Sequence, residues 1–356
     1  MTKAPSDAGT SEKSLRLRIS VLGLCLILAN LALWVWSFVL LRDRPLLLGN
    51  ALLAYGFGLR HAVDADHIAS IDNVTRKFIQ MGRQPLLTGF WFAIGHSLIV
   101  VLAALGTAVL SQAMQDRFSA WRDIGSVTGT LISAGFLFAL AITNFIVLRG
   151  AWRAWRHVRA GGAVEEIDID ALLARGGVLA RLLTPLFRLV SKSWHMVLLG
   201  FLFGLGFDTA TEVSLLGLSA SQASHGVSIA TIMIFPALFA AGMALIDTAD
   251  GVLMLGAYRW AFVDPLRKLR YNIIITLISV IVAVGIGSIE TLKLLGDEIG
   301  FEGRFWQLVS LVSDSFNQIG FIVIGLFVLA WMLSLVFYRV DRRRRGELRV
   351  SPPNPE

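Results

Sequence analysis

"LRHAVDADHIASID", residues 59–72, sets six ionisable side chains (Arg60, His61, Asp64, Asp66, His67 and Asp72) directly behind "LLLGNALLAYGFG" at 46–58. The apolar run reads as the first half of a membrane span. An Asp at the centre of a span costs on the order of 2.5–3.5 kcal/mol. Such groups persist in lipid only if they face one another or a cavity. What they do there decides both fold and function.

The rest of the chain supports the membrane reading. Of 356 residues, 55% are apolar and only 16% are charged, which is too apolar for a soluble domain. The single cysteine, Cys25, excludes an intrachain disulfide and a thiolate metal framework. No secretory cleavage site follows the first apolar run, so that run is expected to stay as a span.

Eight segments are long enough to cross a bilayer, at 18–41, 46–70, 86–110, 126–149, 195–220, 228–255, 272–291 and 318–338. Runs of this length satisfy their backbone in lipid as helices. The expected fold is therefore all-α, a polytopic membrane protein with eight transmembrane helices. It divides into a tail at 1–17, a first membrane half at 18–149 (spans one to four), a loop at 150–194, a second half at 195–338 (spans five to eight) and a basic tail at 339–356. The loop is expected to carry short surface helices. "FWQLVSLVSDSF" (305–316) reads either as an interfacial helix or as an extension of the last span.

Charge sets the orientation. Twenty-five of the 32 Lys and Arg residues fall in the two tails and in the connections after spans two, four and six. Both termini are then cytoplasmic. The net charge of +7 is a matter of topology, and no nucleic-acid partner is needed to explain it.

Two stretches echo each other. "FAIGHSLI" (92–99) matches "FAAGMALI" (239–246), and upstream "GLRHAVD" (58–64) resembles "GLGFDTATE" (204–212). Spans two and three then correspond to spans five and six. An offset of three spans reverses direction, the mark of an inverted repeat whose interface holds the substrate site.

More polar residues lie inside the expected spans: His96 and Ser97; Asn144; Asp208, Thr209, Thr211 and Glu212; Asp247, Thr248 and Asp250. On a straight helix at 100° per residue, His61, Asp64 and His67 share a face while Asp66 points away. Imidazole and carboxylate without sulfur suit a divalent first-row metal such as Ni2+, Co2+ or Zn2+. The bland readings are that a lone His96 packs through a hydrogen bond, that Arg60 neutralises a nearby acid, and that Asp72 is an interfacial acid outside the site. His157, His195 and His225 read as solvated.

At these residues the chain resembles the nickel/cobalt permease family of secondary transporters, closest to its bacterial high-affinity nickel permeases. Its His-x4-Asp-His motif is matched by His61, Asp66 and His67 in "RHAVDADHI". Its other motifs resemble "GFWFAIGHS" around His96, "LGFDTATE" with Asp208, Thr209 and Glu212, and "GMALIDTADG" with Asp247 and Asp250. The resemblance covers roughly residues 15–340. It implies import of Ni2+, with Co2+ as a second substrate, across the bacterial cytoplasmic membrane. The metal set would be His61, Asp64, Asp66, His67, His96, Asp208, Thr209, Glu212, Asp247 and Asp250. Arg60, Ser97, Asn144, Thr211 and Thr248 would support it or line the path. The motif stresses Asp66, whereas a straight helix favours Asp64. Either the helix is distorted after Gly56 and Gly58, or one acid touches metal while the other orients a histidine.

Two other readings compete. An intramembrane metalloenzyme would show a string such as His-Glu-x-x-His, which is absent. A related exporter often carries a His-rich loop, and this chain has none. No G-x4-G-K-[ST] loop occurs, so ATP is not an internal energy source. No enzyme activity, resident cofactor or ATPase subunit is expected.

Overall fold

The computed structural model describes residues 5–109, 112–160, 190–205, 210–261 and 265–347. Within them the chain is helical, with no strand. In order come α1 (Pro5–Leu41), α2 (Pro45–His61), α3 (Ala65–Gln80), α4 (Thr88–Val109) and α5 (Gln112–Arg159). After a 3-10 turn at Ser193–His195 follow α6 (Met196–Gly204), α7 (Ala210–Ser224) and the short α8 (Ile229–Ile232). Then come α9 (Ile234–Ala261), α10 (Pro265–Ile299), α11 (Arg304–Asp314) and α12 (Phe316–Glu347).

Five described helical stretches are long and apolar enough to cross a membrane: Ser14–Leu41, Thr88–Val109, Ile124–His157, Ile229–Ala257 and Ile273–Ile299. A sixth is the pair Arg304–Asp314 and Gln318–Ala330, bent by 64°. The amphipathic segment at 305–316 is thus set off from the last span by a sharp bend, with Phe305, Leu308 and Leu311 exposed. Of the loop at 150–194, where short surface helices were expected, residues 161–189 lie outside the described residues, and α5 itself runs on to Arg159.

The two remaining expected spans, 46–70 and 195–220, are not unbroken helices. The first breaks after His61. Val63 N–H donates to the Arg60 carbonyl at 3.1 Å and Asp64 N–H to that of His61 at 2.9 Å, so the last turn tightens. Asp64 then turns extended (φ −63°, ψ 145°) and opens α3. The straight-helix wheel therefore fails at this point, and the distortion lies beyond Gly56 and Gly58. In the second, α6 ends at Gly204 and α7 begins at Ala210, and residues 206–209 between them lie outside the described residues.

A tertiary contact helps fix the first break. A Cβ at Gly320 of α12 would collide with the Val63 carbonyl. Only glycine lets α12 press on the chain where α2 ends.

Past the break, α3 has almost no exposed side chain. His67, Ser70, Asp72, Asn73, Thr75, Arg76 and Lys77 are all buried, packed among α4, α5, α9, α10 and α12. A helix with no lipid face can carry polar groups all round if partners are supplied. Arg76 donates to Asn73 Oδ1 at 2.9 Å, Asn144 of α5 donates to the same oxygen, and Lys77 donates to the Val190 carbonyl at 2.8 Å. Asp72, expected at the interface, is 0% exposed and accepts from Ser279 of α10 at 3.0 Å. That expectation is corrected. It assumed a straight span ending near 70, whereas the break turns α3 into the protein interior.

Close backbone approaches tie the bundle together. A Cβ at Gly58 of α2 would strike the Phe239 carbonyl of α9, and one at Gly242 of α9 would sit 2.9 Å from the Tyr55 carbonyl. On the other side, Gly200 of α6 meets the Phe92 carbonyl of α4, and Gly95 of α4 meets that of Val197. Small residues at such crossings let membrane helices pack at backbone distance. The helices α5 and α10 pair antiparallel, with Ser133 opposite Glu290 and Leu137 opposite Gly287.

Candidate metal site

Three imidazoles converge where these crossings meet. His61 ends α2, His67 lies in the first turn of α3, and His96 sits mid-way along α4 beside the Gly95 crossing. Each offers one ring nitrogen, and the three nitrogens lie within 4.8 Å of one another. All three residues are buried, at 1%, 0% and 3% exposure. His61 Nε2 is 2.9 Å from His96 Nε2, and His96 Nε2 is 2.9 Å from Glu212 Oε1 of α7. His61 Nε2 is 3.7 Å from that same carboxylate oxygen.

Other groups hold the rings from behind. His61 Nδ1 meets Asp64 Oδ2 at 2.9 Å and the Thr211 hydroxyl at 3.3 Å. His67 Nδ1 meets Asp247 Oδ1 of α9 at 3.4 Å. A carboxylate on Nδ1 fixes the tautomer and leaves the Nε2 lone pair for a metal, the usual outer-sphere arrangement at metal-binding histidines. The Asp64 side chain thus serves His61 rather than capping α3, which leaves the first-turn N–H groups of that helix without a side-chain cap.

Several polar atoms near the cluster are buried without a hydrogen-bond partner: His67 Nε2, His96 Nδ1, Asp66 Oδ1, Asp247 Oδ2 and Ser97 Oγ. Such groups are costly unless something polar or charged completes them. Asp66 is only half-buried, and it acts electrostatically on both His61 and His67.

Of the residues singled out in the sequence, His61, Asp64, His67, His96, Thr211, Glu212 and Asp247 are joined by direct contacts, with Asp66 beside them. Asp250 and Thr248 lie further along α9 and do not bond to the imidazoles; Asp250 is buried with neither oxygen partnered. Asn144 bonds to Asn73 instead of the cluster, and Arg60 is exposed. Asp208 and Thr209 lie outside the described residues. His195 is half-buried and accepts from the Ser191 backbone N–H at 3.2 Å, so it is not simply solvated. The buried contacts of Asn73 and Ser279 were not foreseen from the sequence, and Asp72, five residues past His67 on a helix already rich in polar groups, was placed at the interface.

A multi-pass helical protein with a buried set of imidazoles and carboxylates, joined among the described residues by no cysteine, has the design of a divalent-metal permease. A profile of the NicO family, described as "High-affinity nickel-transport protein", matches residues 47–337, and the chain belongs to this family of nickel transporters rather than to any enzyme class. It is 54% identical over 335 residues to a protein of Cupriavidus necator named "High-affinity nickel transport protein", covering 94% of this chain and 95% of that one. It is 44% identical to the "Nickel transporter NixA" of Staphylococcus aureus, over 85% of this chain and 88% of the relative. It is 40% identical to the "Cobalt transport protein NhlF" of Rhodococcus rhodochrous, over 84% and 85%. No solved structure matches the chain.

Proposed function

We propose that this chain imports Ni2+ across the bacterial cytoplasmic membrane through the site built by His61, His67 and His96. The observation that carries the reading is the convergence of three buried ring nitrogens within 4.8 Å. Glu212 and Asp66 complete the ligand set, while Asp64, Asp247 and Thr211 orient rings. Asp208 and Thr209 join the same set by their place in the family motif. Arg60, Ser97, Asn144 and Thr248 line or support the path. The NhlF relative supports Co2+ as a second substrate.

The proposed topology has eight crossings, with both termini cytoplasmic, membrane halves at 18–149 and 195–338, and the loop at 150–194 and both tails on the cytoplasmic side. The broken pairs α2–α3 and α6–α7 act as discontinuous spans. What supports an inverted repeat is the reciprocity of the glycine contacts. Gly58 meets the Phe239 carbonyl and Gly200 that of Phe92, and these two phenylalanines open the matched stretches. Tyr55 and Leu59 stand against Gly242 as Val197 and Phe201 stand against Gly95. This pairs Gly58 with Gly200 rather than Gly204. Carried along the sequence, the same register aligns Asp66 with Asp208. In transporters of this type, broken helices at the repeat interface hold the substrate.

The membrane potential is sufficient drive. One charge moved through 100 mV gains about 2.3 kcal/mol, so a divalent ion gains about 4.6 kcal/mol. With about 1.4 kcal/mol per tenfold, this supports accumulation on the order of a thousandfold. No ATPase subunit is required. The test uses liposomes holding the purified chain, with a potassium gradient and valinomycin to set the potential. Ni2+ entry should rise with an inside-negative potential. Entry that ignores the potential but follows a proton gradient would replace uniport by proton coupling, and no entry under either would remove the transport reading.

A further inference from the structure

Beyond the imidazole cluster, α3 and α9 carry a second pair of buried carboxylates. Asp72 lies five residues past His67, about 7.5 Å further along its helix, and Asp250 lies three past Asp247, about 4.5 Å along. The two helices touch here: a Cβ at Gly251 would lie 3.6 Å from Ile71 Cγ2. Ile71 and Gly251 are the chain neighbours of Asp72 and Asp250, so the two acids stand on segments in direct contact. Asp72 is fully buried and accepts from Ser279. Asp250 is 7% exposed, and both of its oxygens are buried without any hydrogen-bond partner. Arg76, one turn beyond Asp72, does not neutralise Asp250; its Nη2 goes to Asn73 and its Nη1 has no partner. Thr75 and Thr248 add two buried hydroxyls without partners on the same two helices.

We propose that Asp72, Asp250 and Ser279 form a second cation position, built only from oxygen, which takes a divalent ion still carrying part of its water shell. A carboxylate with two empty acceptors in the interior is costly unless a cation or proton meets it. An unpartnered Asp250 beside Asp72 and the Ser279 hydroxyl is an all-oxygen set of the kind that suits hard, partly hydrated divalent ions. Its place in the path rests on the transport reading. From the cluster, α3 leads to Arg76, Lys77 and Arg83, and α9 leads to Arg259, the basic and therefore cytoplasmic ends. The ion leaves three strong nitrogen ligands for weaker oxygen ones before release, so the tight site does not trap it.

Mn2+ separates the two positions, because it is the weakest binder of nitrogen sites in the divalent series and accepts oxygen sites readily. The purified full chain is titrated with Mn2+ by electron paramagnetic resonance, and with Ni2+ by equilibrium dialysis. Asp250→Asn and Asp72→Asn should each weaken Mn2+ binding by at least about tenfold, while tight Ni2+ binding stays within about twofold of the unmodified chain; that retained Ni2+ site also reports the fold. Ser279→Ala should weaken Mn2+ in the same direction. His96→Ala should do the reverse, losing tight Ni2+ and keeping Mn2+. Mn2+ binding that is absent from the unmodified chain, or indifferent to both Asp changes, overturns the second position. A chain that holds Mn2+ at Asp250 but no Ni2+ at the histidines would overturn the transport reading and leave this site standing.

Discussion

His61 Nε2 faces His96 Nε2 across 2.9 Å, although the two belong to different helices and lie 35 residues apart. Two imidazoles aimed at each other with a carboxylate oxygen of Glu212 alongside give a cation a ready set of ligands. Replacing His61, His67 or His96 by Ala should bring Ni2+ uptake to background while leaving membrane abundance unchanged, since each replacement removes a ligand and no span. Uptake assays with matched immunoblots check this. Normal uptake by any one of the three would take that ring out of the site.

The two acids of the first motif should behave differently. Asp64 sits on His61 Nδ1 and orients the ring. Asp64→Asn should raise the Ni2+ concentration for half-maximal uptake by about 10–100-fold while transport persists at high metal. Asp66 reaches no ring nitrogen within hydrogen-bond distance and keeps a buried, unpartnered oxygen. Asp66→Asn should abolish uptake even at high metal. Concentration curves for both variants decide; full activity of both would show that neither carboxylate serves the ion.

Glycine crossings should be intolerant where backbones touch. Gly58→Ala and Gly200→Ala each drive a Cβ into a carbonyl of the facing helix. Overpacking of this kind costs about 1–3 kcal/mol or more, so both variants should lose folded protein in detergent by a thermal-shift assay. Gly23 and Gly217 have nothing within 4 Å of a Cβ, and alanine there should be neutral. Equal stability of all four would mean that the α2–α9 and α4–α6 contacts are not what holds the bundle.

The residue types of the site were legible in the sequence, because His61, Asp66, His67, His96 and Glu212 are too costly in lipid to be there for packing alone. Their geometry was not. A helical wheel put His61, Asp64 and His67 on one face of a continuous helix, yet the chain turns at Ala62–Asp64, where no Gly or Pro announces it. The causes are distant in sequence: Gly320 of α12 presses on Val63, and the Asp64 side chain turns back to His61. Past the break α3 packs among five other helices, which is why Asp72 looked interfacial and is buried. This break, the end of α6 at Gly204 and the 64° bend before the last span together bring the unbroken spans among the described residues below the eight that hydropathy counts.

The most direct measurement is Ni K-edge X-ray absorption on the purified chain loaded with one equivalent of Ni2+. Three imidazoles should appear in the multiple-scattering pattern, with oxygen filling the remaining positions, and His96→Ala should reduce the imidazole count to two. An oxygen-only shell, or a pattern unchanged by the loss of any of the three histidines, would contradict a transport site built on His61, His67 and His96.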